Sequence, residues 1–127
     1  MTLDSPLKGT LIEEALRIGV RLTPYSHWPA AWHCIVIRVL RDARKAGVRE
    51  VYIKEKFGGL RIQGGGASLL NSVKRAEKDS VKTCVFCGNR CNESPPPNLP
   101  CCRECGSSQI RVALRWIELP MPVAPAD

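Results

Sequence analysis

Two Cys-x-x-Cys pairs are the residues of this chain whose types and spacing can do chemistry. Cys84 and Cys87 form the first pair, Cys102 and Cys105 form the second, and a glycine follows each pair. Each pair can offer two thiolates to one metal ion, and each glycine allows a left-handed backbone that turns peptide N–H groups toward sulfur. Fourteen residues separate Cys87 from Cys102, which is enough for the loop to close on one ion. The pattern predicts a single tetrahedral Zn²⁺ site.

The predicted zinc is structural, because four thiolates fill the tetrahedron. A catalytic zinc keeps one position for water, and this ligand set leaves none. Cys91 and Cys101 lie in the loop between the pairs. Either of them can replace a predicted ligand, or both are spare thiols, and the spacing leaves these alternatives open.

Seven cysteines are many for 127 residues, so their redox environment decides how they are interpreted. The chain opens with no charged and apolar leader and contains no apolar run of about 20 residues. We therefore expect a cytoplasmic, reducing location and no membrane partner. In that setting Cys-x-x-Cys pairs bind metal more often than they form disulfides.

Cys34 follows His33, which superficially indicates a Cys–His nucleophile. Adjacent residues on a helix point about 100° apart, and Cys34 has no evident third group to orient a base. We interpret Cys34 as a buried structural cysteine and expect no enzymatic activity. No phosphate-binding loop, dinucleotide-binding glycine set or serine elbow occurs in the sequence. An enzyme that uses Cys34 or an open zinc position remains the alternative from another class.

The formal charge of +7 is concentrated in the middle of the chain. Residues 34–66 carry eight basic and three acidic side chains, whereas residues 84–106 carry two of each. We therefore predict that the central region, and not the cysteine-rich segment, faces an anionic partner, either nucleic acid or an acidic protein surface. The alternative without a binding partner is a solvated basic face, whose lysines keep an exposed strand edge from pairing with other chains. The candidate partner-binding residues are Arg38, Arg41, Arg44, Lys45, Lys54, Lys56 and Arg61.

Helical patterns precede the basic region. Thr10–Glu13 has the form of a capping box and predicts a helix that runs to about Val20. Pro29 suits the first position of a second helix, which Gly47 would end. Apolar residues at spacings of three and four predict the buried face of this second helix. They are Trp32, Ile35, Val36, Val39, Leu40 and Ala43.

A β-hairpin is predicted next, because Val51, Ile53 and Phe57 alternate with polar residues and Gly58-Gly59 interrupts the alternation before Leu60. Tyr52 and the basic side chains should then share the solvent face. A third helix is expected over about Ser68 to Lys82, with Leu69, Leu70, Val73, Ala76 and Glu77 on one side.

The predicted fold class is α+β, with helices packed on a β-hairpin or small antiparallel sheet and a C-terminal zinc ribbon that has four cysteine ligands. We expect one domain over residues 1–127, with a helix-helix-hairpin-helix core at 10–83, the ribbon at 84–106 and a loose tail at 119–127. Alternation from Ile110 to Trp116 favours a strand after the ribbon, although a helix that buries Ile110, Leu114 and Ile117 fits too.

The segment KEKFGGLRI (Lys54 to Ile62), followed by a helix, TCVFCG and CCREC, resembles a family of small bacterial and prophage proteins with no assigned activity. The resemblance covers roughly Val51 to Cys105. It implies that Cys84, Cys87, Cys102 and Cys105 are the metal ligands. The association with mobile elements also raises a second reading, an inhibitor or immunity-type protein that occupies an acidic or nucleic-acid-binding groove of a target.

Overall fold

In the part of the chain that the structure describes, the regular structure consists of three α-helices, one 3-10 turn and five short strands. The structure is a computed structural model that describes residues 4–91, 99–102 and 115–119, with the backbone alone for residues 4–10. Within these ranges the expected α+β class is confirmed. The elements are α1 (Asp4–Arg17), β1 (Arg21–Leu22), β2 (His27–Pro29), α2 (His33–Lys45), β3 (Glu50–Lys56), β4 (Gly59–Gln63), α3 (Gly66–Ser80) and β5 (Trp116–Glu118).

The strands form two small sheets. One has the order β1-β3-β4, in which β3 and β4 are an antiparallel hairpin and β1 is parallel to β3. The other pairs β2 with β5 in antiparallel fashion. The expected small antiparallel sheet is therefore correct for the hairpin, but β1 adds a parallel neighbour that periodicity did not indicate.

The hairpin turn lies one residue earlier than predicted. Lys56 pairs with Gly59, so the two-residue loop is Phe57-Gly58 and not Gly58-Gly59. Both loop residues have positive φ, 54° and 84°, which a two-residue turn needs in order to follow the twist of the strands. Phe57, expected on the apolar face, is instead 58% exposed at the tip.

Gly59 is held in place by packing. A Cβ at Gly59 would lie 2.9 Å from Cγ1 of Val81, just beyond α3. The free edge of β4 is also closed by α3, because Leu60 N–H donates to Ser80 Oγ at 2.9 Å and Ile62 N–H donates to Glu77 Oε2 at 3.3 Å. The hairpin is therefore fixed against the helix that leads into the cysteine-rich segment.

The apolar stripe of α2 is buried as predicted, and with it Ile37. Gly47 ends the helix at φ +77°, where Gly47 N–H donates to the Arg44 carbonyl and Val48 N–H donates to the Ala43 carbonyl. This pair of bonds is a Schellman cap. Pro29 does not begin α2, because it ends β2 and precedes a 3-10 turn at Ala30–Trp32.

α1 begins at Asp4, six residues before the start predicted at Thr10, and ends at Arg17 rather than about Val20. The earlier start is compatible with Pro6, because the first turn of a helix has N–H groups without intrahelical partners. Gly19 follows at φ +96°, where the helical path ends.

β5 is out of phase with the predicted strand. Ile117 is 1% exposed, whereas Trp116, expected to face inward, is half-buried beside the His27 ring. Pairing with β2 sets this register, since Ile117 lies opposite the buried Trp28. Residues 110–114 and 120–127 lie outside the described residues. Leu119, placed in the loose tail, donates its N–H to the Ser26 carbonyl at 2.9 Å.

The core lies between the helices and one face of the hairpin. Apolar side chains of α2 and α3 join the inner face of the hairpin, formed by Val51, Ile53, Leu60 and Ile62, in one cluster. Leu70 of α3, expected on the packed side, is 46% exposed. The exposed face of α2 and the outer face of the hairpin therefore lie on opposite sides of this core.

Candidate functional site

The first cysteine pair sits in a closed turn directly after α3. Thr83 and Arg90 form an isolated antiparallel bridge, and Cys91 N–H donates to the Lys82 carbonyl at 2.8 Å. Inside this bridge Cys84 N–H donates to the Asn89 carbonyl at 2.8 Å. The turn is therefore fixed by backbone hydrogen bonds.

Backbone N–H groups in this turn are aimed at sulfur. Phe86 N–H donates to Cys84 Sγ at 3.4 Å and Asn89 N–H donates to Cys87 Sγ at 3.5 Å. Gly88 has φ +81°, the left-handed conformation expected at this position. Donors to both sulfurs stabilise thiolates, which is the form that binds metal.

Cys102 is brought to the same place by the next described segment, residues 99–102. Val85 N–H donates to the Pro100 carbonyl at 3.0 Å, which fixes that segment against the first turn. The Sγ atoms of Cys84, Cys87 and Cys102 lie within 4.8 Å of one another, and those of Cys87 and Cys102 are 3.6 Å apart. Zn–S bonds of about 2.3 Å in a tetrahedron place sulfurs about 3.8 Å apart, whereas a disulfide would need about 2.05 Å. The three thiols are therefore positioned to hold one metal ion.

The local electrostatics favour a thiolate at Cys84. Burial raises the pKa of this thiol, but hydrogen bonds from the backbone of Cys102, Cys87 and Phe86 and from the Cys87 side chain outweigh burial and lower the pKa to about 6. Cys84 is also 0% exposed, so a bound ion would be shielded from water on this side.

The fourth ligand stays a prediction. Cys105 lies outside the described residues, so neither its coordination nor the ribbon that would contain it is tested. Burial raises the pKa of the Cys91 thiol, and the negative charges of nearby thiolates, Cys84 first among them, raise it further. Cys91 therefore lies near the cluster. Cys91 is not one of the three mutually close thiols.

The cysteine turn is joined to the core through Trp32. The indole Nε1–H of this fully buried side chain donates to the Thr83 carbonyl at 2.9 Å, one residue before Cys84. Thr83 Oγ1 in turn donates to the Asp79 carbonyl at 2.7 Å. The cysteine turn and the helical core are therefore directly coupled, and a tryptophan in an apolar stripe gave no sign of this role in the sequence.

The interpretation of Cys34 as buried is wrong, because its side chain is exposed on α2. Position 34 is on the solvent side of a helix whose stripe runs through its neighbours at 35 and 36. His33 points the other way. Its ring stacks on Trp28 and its Nε2 lies 2.9 Å from Glu14 Oε1, so the imidazole is engaged with α1.

Acidification should destabilise the fold through His33. Burial lowers the pKa of His33 below 6.5, and the nearby Glu14 carboxylate opposes this shift only in part. Unfolded His33 thus binds a proton at higher pH than folded His33. The contribution of the neutral ring to the free energy of unfolding is therefore complete above pH 6.5 and is lost as the pH falls below that value. Urea unfolding at about pH 7.5 and about pH 5.5 measures the loss. The His33→Gln variant should lose less stability over this interval, and an equal loss would contradict the assignment.

The seven candidate basic residues are divided between two faces. On α2, Arg38 forms an ion pair with Asp79 at 2.6 Å and Arg44 donates to the Ile18 carbonyl at 2.9 Å, so both hold elements together. Arg41 and Lys45 are exposed on the same helix. Lys54, Lys56 and Arg61 belong to the hairpin on the other side of the core.

The outer face of the hairpin combines cations with aromatic rings. Lys54 lies directly across from Arg61, and Tyr52 is on the same face. Lys54 Nζ is 5.5 Å from the centre of the Tyr52 ring, and Lys56 Nζ is 5.5 Å from the centre of the Phe57 ring. Phe57 was missed as a candidate, although a bulky residue immediately before Gly58 between two alternating runs is a signal that could have found it.

Among the described residues no helix is long and apolar enough to cross a membrane. Comparison of the chain with protein-family models, with curated proteins and with solved structures gives no match.

Proposed function

We propose that this protein is a non-enzymatic, zinc-stabilised binding module that recognises nucleic acid through the outer face of its β-hairpin. The observation that carries the proposal is the pairing of Lys54 with Arg61 directly across two strands. Like charges in this position destabilise a sheet. Within the described part of the chain, neither side chain forms an ion pair with a carboxylate to offset that cost. The pair therefore costs the sheet some stability, and binding to phosphates would offset that cost, which supports the proposal.

The neighbouring residues of the hairpin have structural tasks. Glu55 accepts a hydrogen bond from Gly58 N–H at 2.8 Å, Gly59 packs on Val81, and Leu60 is fully buried. Lys54, Lys56 and Arg61 line the outer face. Lys54 and Lys56 lie over the Tyr52 and Phe57 rings, and Arg61 Nη1 donates to the carbonyl of its neighbour Leu60 at 3.0 Å. Glu50, at the start of that face, forms an ion pair with Arg21, in which Glu50 Oε2 lies 3.8 Å from Arg21 Nη1.

Zinc has a structural role in this proposal. Cys84, Cys87, Cys102 and, from its spacing, Cys105 would bind the ion, which favours thiolate ligands in a tetrahedral arrangement. The ion would hold residues 99–102 against the end of α3. Since α3 also closes the edge of β4, metal binding would support the hairpin that makes the contact.

A matched pair of double variants tests the proposal. Lys54→Gln with Arg61→Gln removes two charges from the hairpin, and Arg41→Gln with Lys45→Gln removes one lysine and one arginine charge from α2. Fluorescence anisotropy with labelled DNA and RNA, from about 50 to about 200 mM salt, measures affinity and its salt dependence. The hairpin variant should weaken binding and lower the slope of log K against log salt by about 1.4 to 1.8, and the α2 variant should do neither. Equal effects of the two variants, or no binding at low salt, would contradict the proposal.

An acidic groove on a target protein offers the same charge as a phosphate backbone, so an inhibitor or immunity-type role is the second candidate. Capture from native host lysate with and without nuclease separates the two. Nucleic acid is the partner if nuclease removes the captured material. A protein that survives nuclease treatment and is lost with the hairpin variant would favour the inhibitor role.

A further inference from the structure

Phe57 occupies a position that its side chain disfavours. It is the first residue of a two-residue hairpin turn, with φ +54°, in the left-handed region that favours glycine and asparagine. Its ring is 58% exposed, the highest value among the large exposed apolar side chains of the described residues. The turn requires this left-handed backbone, but neither the turn nor core packing explains why an exposed phenylalanine occupies the position.

Two aromatic rings on this hairpin each lie beside a lysine. Phe57 is next to Lys56 at the tip, and Tyr52 is next to Lys54 farther along the strand. Phe57 lies five positions after Tyr52, which corresponds to about 16 Å of extended backbone and is comparable to roughly five stacked nucleotides. A lysine ammonium lies over one face of each ring, so an unpaired base would stack on the other face while that lysine, or Arg61, meets a phosphate.

We infer that the ligand of the hairpin is a single-stranded nucleic acid and that Phe57 is a stacking platform for one of its bases. The inference rests on the proposed function and adds the form of the ligand. Duplexes keep their base faces inside the stack, so a ring reaches them only by unstacking a base step, whereas single strands offer those faces to aromatic side chains at no such cost. A two-stranded ribbon can also enter a major groove, where Phe57 would contact a thymine methyl group, but that contact uses only part of the ring, whereas a stacked base covers its face.

The Phe57→Asn variant separates binding from folding. Asparagine tolerates the left-handed backbone, and Asn-Gly is a favoured pair for this turn, so the variant should unfold at the same temperature as the wild type or higher. Its affinity for an oligothymidylate of about 12 nucleotides should fall roughly 5- to 100-fold by fluorescence anisotropy. Phe57→Trp should retain or increase that affinity, because the stacking surface is larger.

Duplex DNA of the same length is the comparison ligand. It should bind more weakly than the single strand, and Phe57→Asn should leave that weaker binding unchanged. The inference is overturned if Phe57→Asn binds the oligothymidylate as the wild type does, or if the duplex binds as tightly as the single strand. Either result, combined with weaker binding by the Lys54→Gln/Arg61→Gln variant, would leave the proposed function standing. Absence of binding to both ligands at low salt would overturn the inference together with the proposed function.

Discussion

Replacing Cys84 with serine should abolish the proposed zinc binding and most of the cooperative folding of this protein. The Sγ of Cys84 is one of three that converge within 4.8 Å, and it receives a backbone N–H donor. Structural zinc sites contribute an apparent ~10–16 kcal/mol in zinc-finger peptides, which is comparable to the whole stability of a small domain, ~5–15 kcal/mol. We expect zinc content to fall to background and the thermal transition to be lost or strongly lowered, as measured by elemental analysis and circular dichroism.

Cys34→Ser is the matched control, because Cys34 is exposed on α2 and is not one of the three converging thiols. This variant should keep its zinc and its unfolding temperature. If Cys84→Ser behaves as Cys34→Ser does, the three converging thiols are not a structural metal site.

Trp32→Ala should produce the second largest loss of folding stability. The side chain is 0% exposed, and large-to-small changes of buried tryptophan cost about 3–5 kcal/mol. The indole also donates to the Thr83 carbonyl, one residue before Cys84, so the substitution loosens the turn that holds the first two sulfurs. We expect a lower free energy of unfolding in urea and, in competition with a zinc-binding dye, weaker zinc affinity.

Trp32→Phe separates the two effects, since it keeps much of the ring and removes the N–H donor. Leaving the Thr83 carbonyl without this partner should cost about 1–3 kcal/mol. An unchanged zinc affinity in Trp32→Ala would show that the metal centre is independent of the core, contrary to the coupling described above.

α2 could be predicted from local sequence, because its stripe repeats at helical spacing and Gly47 is the residue that a helix end requires. The hairpin was predicted for the same reason, since alternation at period two is a local property. Its turn was placed one residue too late, because glycines at both 58 and 59 fit a turn, and only the contact of Gly59 with Val81 assigns it to the strand.

β1 and β2 could not be predicted, because strands of two or three residues carry no periodicity, and the strand predicted up to Trp116 gave the wrong phase for β5. β1 exists through its pairing with β3, and β5 through its pairing with β2 across most of the chain. These partners are distant in sequence. The predicted phase of β5 was wrong for this reason. Ile117 is the buried residue because it lies opposite the buried Trp28.

The parts of the candidate site that depend on the spacing of residues along the chain were predictable. The parts that depend on how distant segments pack together were not. Cys-x-x-Cys followed by glycine indicated both the thiols and the N–H donors to sulfur, whereas the contact of Val85 with Pro100 crosses a long loop. The basic residues were treated as one region because they are close in sequence. In the fold, α2 and the hairpin present them on opposite sides of the core.

Metal content tests the central claim most directly. Native mass spectrometry of the protein purified without added chelator should show one zinc ion per chain, and Cys84→Ser and Cys102→Ser should each show none while Cys34→Ser keeps one. A wild-type protein that is folded and carries no metal would contradict the account.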